Sequence, residues 1–292
     1  MLGLKIFKID NPQGWHPDVQ MYEVWEKGNN KFVGHAYLDL FVRKGKYSGA
    51  AVWAVRPGFE RLDGTHVHPV SAMVANFAGP TSTRPALMSH GDIKILLHEL
   101  AHLFHNICSV TKWSRFHGTS CRETDYVEAP SQMMENWAWE PVFLRQFAKH
   151  YKTGEPISDK MLQNLINSRN DELGMDKLSQ LFLGTFDLSI HNSANEKRCV
   201  SELFNSMQAD MTFSNCGDAK VFKVASCEHL MSGYAGTYYA YLWAEIISAD
   251  MFATRFKAHG IGNPKTGMDF RREILLPGGS RDASVSIEHF LG

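Results

Sequence analysis

The chain has 292 residues, of which 44% are hydrophobic and 21% charged, a composition typical of globular proteins rather than disordered ones. A formal net charge of -1 at pH 7 argues against nucleic acid as a partner. No apolar run is long enough to cross a membrane or to form a signal peptide, which predicts a cytoplasmic protein without a membrane partner. The odd set of five cysteines predicts a reducing compartment rather than a disulfide framework.

The N-terminal part of the chain carries short apolar runs separated by turn-like segments, a pattern typical of a small β-sheet. These runs are Val19 to Trp25, Phe32 to Val42 and Gly49 to Val55. The period then changes, because apolar residues recur every three or four positions after Gly91, as in an amphipathic helix. Ser89 followed by Asp92 predicts where that helix begins.

Further helices are predicted along the rest of the chain, whereas the stretch between His191 and His229 is mixed and polar. Their signals are Pro130 with the run after it, MLQNLINSRN from Met161, LSQLFLGTFDLSIH from Leu178 and TYYAYLWAEIISADMFATRF from Thr237. With no internal repeat or linker, these elements predict a mainly α (α+β) fold in a single domain over residues 1–292.

The pentapeptide HELAH places His98 and His102 on one face of the predicted helix, where both imidazoles can reach the same metal ion. Glu99 lies beside them, where a glutamate can take a proton from a metal-activated water. HExxH also occurs by chance in chains rich in histidine, but its position on a strongly periodic helix favours a true metal site.

A catalytic zinc ion takes three protein ligands and keeps a fourth position open, so another side chain must complete the site. The candidates are Glu123, Asp125, Glu128 and Glu135. Glu128 precedes the helix of Pro130, and Glu135 lies two turns later on nearly the same face, so that one can bind the metal while the other orients a ligand histidine.

The segments HELAHLFH and GTSCRETDYVEAPSQMMENWAWEP resemble the zinc oligopeptidase family of thimet oligopeptidase, neurolysin and saccharolysin. The resemblance extends to WHPDV, YLDLFVRKGKYSGAA, HLMSGYAGTYYAYLWAEIISADMF and PGGSRDA, and so covers nearly the whole chain. It implies a helical, zincin-type metallopeptidase domain with one Zn²⁺ per chain. In that family pattern His98, His102 and Glu128 are the zinc ligands, Glu99 is the catalytic base and Glu135 supports a ligand.

The resemblance also implies a flexible substrate loop, in which His229, Tyr234 and Tyr241 act on the scissile peptide and Tyr238 contacts substrate. A tyrosine hydroxyl there would stabilise the oxyanion of the transition state. Spacing alone favours aromatic packing along a helix for all three tyrosines. The family pattern further implies that a sheet edge near Tyr37 to Phe41 pairs with an extended peptide.

The sequence departs from the family pattern at several places. Ala101 replaces a glycine, SGYAG replaces a GGYDA-like loop, and an extra residue lies between Thr119 and Tyr126. Family members also have a long N-terminal helical wall and a short C-terminal segment, and this chain is expected to lack both.

The resulting expectation is a zinc metalloendopeptidase that cuts internal bonds of short peptides. The alternatives are a weakly active or non-catalytic remnant that binds zinc and peptide, and a purely structural zinc site. The expected loss of the wall also predicts self-association through an exposed channel face.

Overall fold

The computed structural model describes residues 1–120, 123–171, 173–192, 199–214, 222–231 and 233–292. The first 77 residues contain all the strands of this described part. These are β1 (Leu4–Lys8), β2 (Gln20–Glu26), β3 (Phe32–Phe41), β4 (Ala51–Arg56), β5 (Phe59–Glu60), β6 (His66–Val67) and β7 (Val70–Phe77). β5 and β6 form a separate two-stranded ribbon.

The other five strands form one sheet in the order β1-β2-β3-β7-β4. β3 and β7 are parallel, and the remaining neighbours are antiparallel. The sequence prediction assigned no element to Val70–Phe77, although this strand is buried along most of its length. Residues on both of its faces are buried, such as Ala72 and Met73, so the strand lacks the alternating polar face by which strands are recognised.

The predicted substrate-pairing edge near Tyr37 to Phe41 is wrong in its location. β3 is an inner strand, since β2 and β7 pair with it on both sides. Among the described strands the sheet has two edges, β1 and β4, and β4 pairs only with β7. Sequence pattern shows that a segment is extended but not which strands flank it.

Helices are the main elements of the rest of the described chain, which confirms the predicted mainly α (α+β) fold. They are α1 (His90–Cys108), α2 (Ala129–Glu135), α3 (Pro141–Leu144), α4 (Asp159–Asn167), α5 (Leu173–Ile190), α6 (Val200–Thr212), α7 (Ala240–Met251), α8 (Pro264–Phe270) and α9 (Ala283–Leu291). The sequence prediction missed α3, α6, α8 and α9, which are short or lie in the mixed polar stretch. None of the described helices is long and apolar enough to cross a membrane.

The helix α1 begins where the sequence predicts. Ser89 is its N-cap: the Ser89 hydroxyl accepts from the Asp92 amide, and the Asp92 carboxylate accepts from the Ser89 amide. One side of α1 packs through Leu103 and Ile107 against the sheet, and another side packs through Leu97 against the helical core. The helix is therefore fixed from both sides.

A buried ionic cluster holds the loop that leads from β3 to the edge strand β4. Asp39 is 1% exposed and accepts from Trp15, Arg43 and Lys46, and the Lys46 ammonium also donates to the carbonyls of Phe41 and Ala75. Burial acts to raise the pKa of Asp39, but these hydrogen bonds outweigh it and hold the pKa well below its usual range.

We predict that Lys46→Met lowers the free energy of unfolding by about 3 kcal/mol, because it leaves a buried carboxylate with one partner fewer. The exposed neighbour Lys44 provides the control, and Lys44→Met should change stability little. Urea denaturation measures both. The folded pKa of Asp39 is depressed, so the Lys46→Met loss should be full above about pH 4, the unfolded pKa, and shrink as the pH falls below it. Equal losses for the two variants would contradict the prediction.

Candidate active site

His98 and His102 lie one turn apart on α1, and their side chains point to the same place. Their Nε2 atoms are 3.2 Å apart, and each is 3.1 Å from Oε2 of Glu128. In the described part of the chain this is the one group of His, Cys, Asp or Glu side chains whose ligand atoms lie close enough together to hold a metal ion. The structure thus brings together the three predicted zinc ligands.

Glu128 reaches this point from the N-terminal end of α2, where it is the N-cap residue and 4% exposed. The Ser131 hydroxyl donates to the same Oε2 at 3.0 Å. Burial acts to raise the pKa of Glu128, but hydrogen bonds from His102 and His98 outweigh it and lower the pKa well below its usual value. Glu128 is therefore present as a carboxylate.

The other candidates for the third ligand lie elsewhere. A Glu123 oxygen accepts from the Ala283 amide at 3.4 Å, and Asp125 accepts from the Tyr239 hydroxyl at 3.0 Å. The predicted extra residue falls in a stretch that includes residues 121 and 122, outside the described residues. It does not prevent Glu128 from reaching the histidines.

Glu135 contacts one of the two histidines of the candidate metal site. It is 2.8 Å from Nδ1 of His98, which leaves Nε2 directed at the shared point, and Lys94 pairs with its other oxygen at 3.3 Å. Burial acts to lower the pKa of His98, but hydrogen bonds to Glu128 and Glu135 outweigh it and raise the pKa to about 10. A metal ion at Nε2 would replace the proton that these carboxylates stabilise.

Glu99 is 7% exposed, and its Oε2 is buried without a hydrogen-bond partner among the described residues. Burial raises its pKa above the usual value, while His98 and His102 partly oppose that shift. A carboxylate with a raised pKa and an unused oxygen is a good proton acceptor.

These side chains open into a cavity of about 440 Å³. Its walls come from five parts of the chain: the edge strand β4 with residues just before it, α1, the segment before α2, the short helix Glu228–Met231, and the tyrosine loop, defined here as residues 233–241. Its lining residues include Tyr47, Ala50, Ala51, Val52, His98, Glu99, His102, Glu128, Glu228, His229, Tyr234 and Tyr241. The sequence prediction did not identify Tyr47, Glu228 or the β4 residues, since nothing in their local pattern connects them to HELAH.

Two of the predicted tyrosines lie together beside a metal-ligand candidate. The Tyr234 hydroxyl donates to Oε1 of Glu128 at 2.5 Å, and the Tyr241 ring stacks on the Tyr234 ring with centroids 5.1 Å apart. Burial, followed by the charge of Glu128, raises the pKa of both tyrosines, so both hydroxyls keep their protons at neutral pH.

The other two residues predicted for the substrate loop, His229 and Tyr238, have different surroundings. The His229 ring lines the cavity and lies 5.8 Å from the Tyr234 ring and 5.9 Å from the Tyr241 ring. Tyr238 is 8% exposed, belongs to an apolar cluster with Phe182 and does not line the cavity, although its ring lies 5.3 Å from the Tyr241 ring. Its ring therefore follows the packing interpretation.

The residues present fit a zinc ion. Two imidazole nitrogens and a carboxylate oxygen are a known donor set for catalytic zinc, and it leaves room for a fourth ligand. Glu99 lies beside this set with an oxygen that has no hydrogen-bond partner among the described residues. A structural zinc site is closed by a fourth protein ligand and needs no such base, so this oxygen favours a catalytic site.

Sequence comparison places these residues among peptidases. A sequence model of peptidase family M3 matches residues 1–292. The chain is 37% identical to a thimet-like oligopeptidase of Dictyostelium discoideum, covering 100% of this chain and 44% of that protein. It is 36% identical to saccharolysin of Saccharomyces cerevisiae, covering 100% and 42%, and 34% identical to oligopeptidase A of Escherichia coli, covering 95% and 41%. The chain thus spans about two-fifths of the length of these relatives.

A solved structure described as PZ peptidase A with inhibitor 2 shares the fold. The TM-score is 0.54 with 17% sequence identity, over 87% of this chain and 39% of that one. At this identity the similarity concerns the fold alone.

We predict that Glu135→Gln weakens zinc binding about 10- to 100-fold, because an amide supports the ligand orientation of His98 less well than a carboxylate does. Chelator competition at constant pH measures the affinity. Glu288→Gln, an exposed carboxyl on α9, is the matched control and should bind zinc as the unchanged chain does. Unchanged affinity in Glu135→Gln would remove this role.

Proposed function

Because the chain belongs to peptidase family M3, we propose that it is a zinc metallo-oligopeptidase that hydrolyses internal bonds of short peptides. The observation that carries this proposal is the convergence of His98, His102 and Glu128 beside Glu99, whose free oxygen faces no protein partner among the described residues. Relatives named as oligopeptidases support the substrate class.

His98, His102 and Glu128 would hold the ion. When bound, zinc supplies Lewis acidity, which lowers the pKa of water from about 15.7 to about 7 and polarises a carbonyl. Glu99 accepts the proton of the attacking water and then donates it to the departing amine nitrogen, so the proton is conserved through the reaction. The raised pKa of Glu99 suits both transfers.

The edge strand β4 offers a backbone with which an extended substrate can pair. Ala50, Ala51 and Val52 line the cavity at the start of β4, and the outer side of this strand has no neighbouring strand in the described structure. An extended peptide added to this edge would pair through its backbone, which requires no particular side-chain sequence. Such pairing suits an enzyme of broad peptide specificity.

Tyr234 and Tyr241 are proposed to stabilise the oxyanion. Both are protonated donors at the cavity wall, and the Tyr234 hydroxyl can turn from Glu128 towards charge that develops on the carbonyl oxygen. His229, whose ring lies beside both, is proposed to contact the scissile peptide.

The remnant interpretation makes a different prediction: full zinc content without turnover of any peptide by the unchanged chain.

The predicted self-association stays a prediction. Trp243 and Ile246 on α7, which are 53% and 68% exposed, offer apolar surface for it.

We predict that Glu99→Gln keeps its zinc but loses about 10²- to 10⁴-fold in kcat, since the amide preserves the size of the side chain and removes the proton acceptor. Metal analysis and turnover of a quenched fluorescent peptide test this together. Glu228→Gln, which removes a carboxyl from the same cavity wall, should retain most of the activity. Loss of zinc in parallel with activity would assign Glu99 a structural role.

We predict that Tyr234→Phe lowers kcat about a hundredfold with little change in KM, because the lost hydroxyl acts in the transition state. Tyr239→Phe is the matched control in the same loop, since its hydroxyl bonds Asp125 instead. Steady-state kinetics with zinc content measured on each sample decide the matter. An unchanged kcat in Tyr234→Phe would return this residue to aromatic packing.

A further inference from the structure

A buried carboxylate on α5 grips the backbone of the tyrosine loop. Asp187 is 0% exposed; its Oδ1 accepts from the Gly236 amide and its Oδ2 from the Tyr238 amide, both at 2.9 Å. His191, the residue after the end of α5, lies 3.1 Å from Oδ1. The sequence prediction placed Asp187 on a helix and assigned it no role.

We propose that Asp187 is a positioning residue, which fixes the tyrosine loop so that the hydroxyls of Tyr234 and Tyr241 face the metal group. This inference rests on the proposed function, because it concerns how the loop serves catalysis. Asp187 does not line the cavity and so acts only through the loop.

The chemistry of the site requires a carboxylate in particular. Both oxygens of an aspartate accept hydrogen bonds, so two amides that point at one side chain can both be satisfied. An asparagine of the same shape accepts at one oxygen and turns its own N–H groups towards the second amide. Burial of a charged group costs free energy unless hydrogen bonds compensate it. The amides of Gly236 and Tyr238 supply two of those hydrogen bonds to Asp187.

The loop backbone also has turn hydrogen bonds of its own, from the Thr237 amide to the Tyr234 carbonyl and from the Ala240 amide to the Thr237 carbonyl. Gly236 has a φ of 73°, in the region that favours glycine, so its amide direction depends on a conformation that other residues rarely adopt. One turn before Asp187, a side chain on Gly184 would meet Cα of Tyr239 at 3.4 Å, which shows how closely α5 approaches the loop. On the opposite side Gln132 of α2 donates to the Tyr241 carbonyl at 3.0 Å. The two tyrosines thus lie on a segment held between α5 and α2.

The test is Asp187→Asn in the full, zinc-loaded chain, read first by amide hydrogen exchange. We expect exchange over residues 233–241 to quicken about tenfold, as the loss of a hydrogen bond to a charged group implies. Asp269→Asn is the matched control: this buried carboxylate bonds Arg255 and Arg272, far along the chain, and its loss should leave exchange in the loop unchanged. Asp187→Ser is the second variant if the asparagine chain does not fold.

Kinetics separate positioning from mere support of the fold. We expect Asp187→Asn to lower kcat up to about a hundredfold with little change in KM, and Tyr234→Phe to cost less than about threefold in the Asp187→Asn background. A full hundredfold cost there, or loop exchange at the wild-type rate, would overturn the proposal. An unchanged chain that binds zinc and cleaves no peptide would instead overturn the proposed function, while the exchange experiment would still decide whether Asp187 holds the loop.

Discussion

The two imidazoles of the candidate metal site are held by packing on both sides of α1. A sheet contacts one side of this helix and the helical core another, so the helix can neither rotate nor slide without breaking an apolar cluster. His98 and His102 therefore need little adjustment of their own, and Glu135 sets the direction of the first ring. Everything else in the site is brought to this fixed pair.

The other groups of the site come from separate segments of the chain, and buried polar contacts help to hold two of these segments in place. Asp39 and Lys46 fix the loop before the edge strand, and Asp187 and Gln132 grip the tyrosine loop. Such contacts are directional, because a carboxylate or ammonium that loses a buried partner pays a large desolvation cost. They place loops accurately where apolar contacts would only keep them near.

The polar groups of the cavity suit a hydrolytic site because their surroundings favour a different protonation behaviour for each. Glu128 is held as a carboxylate, Tyr234 and Tyr241 are held protonated, and Glu99 has a raised pKa and a free oxygen. One buried environment thus gives these side chains three different chemical roles: a metal-ligand candidate, two proton donors and a base. The same carboxylate that completes the ligand group also raises the pKa of the tyrosines, so these roles are coupled.

The sequence by itself determined α1, its cap at Ser89 and the facing positions of His98 and His102, because helix period and capping are local properties. Family resemblance added Glu128, which spacing alone had left open among four carboxyls. Only the tertiary structure decided that β3 is an inner strand and β4 an edge, that Tyr238 packs inward, and that Asp187 reaches the tyrosine loop about fifty residues away. These three depend on contacts between segments distant in the chain, and no local pattern records which segments will meet.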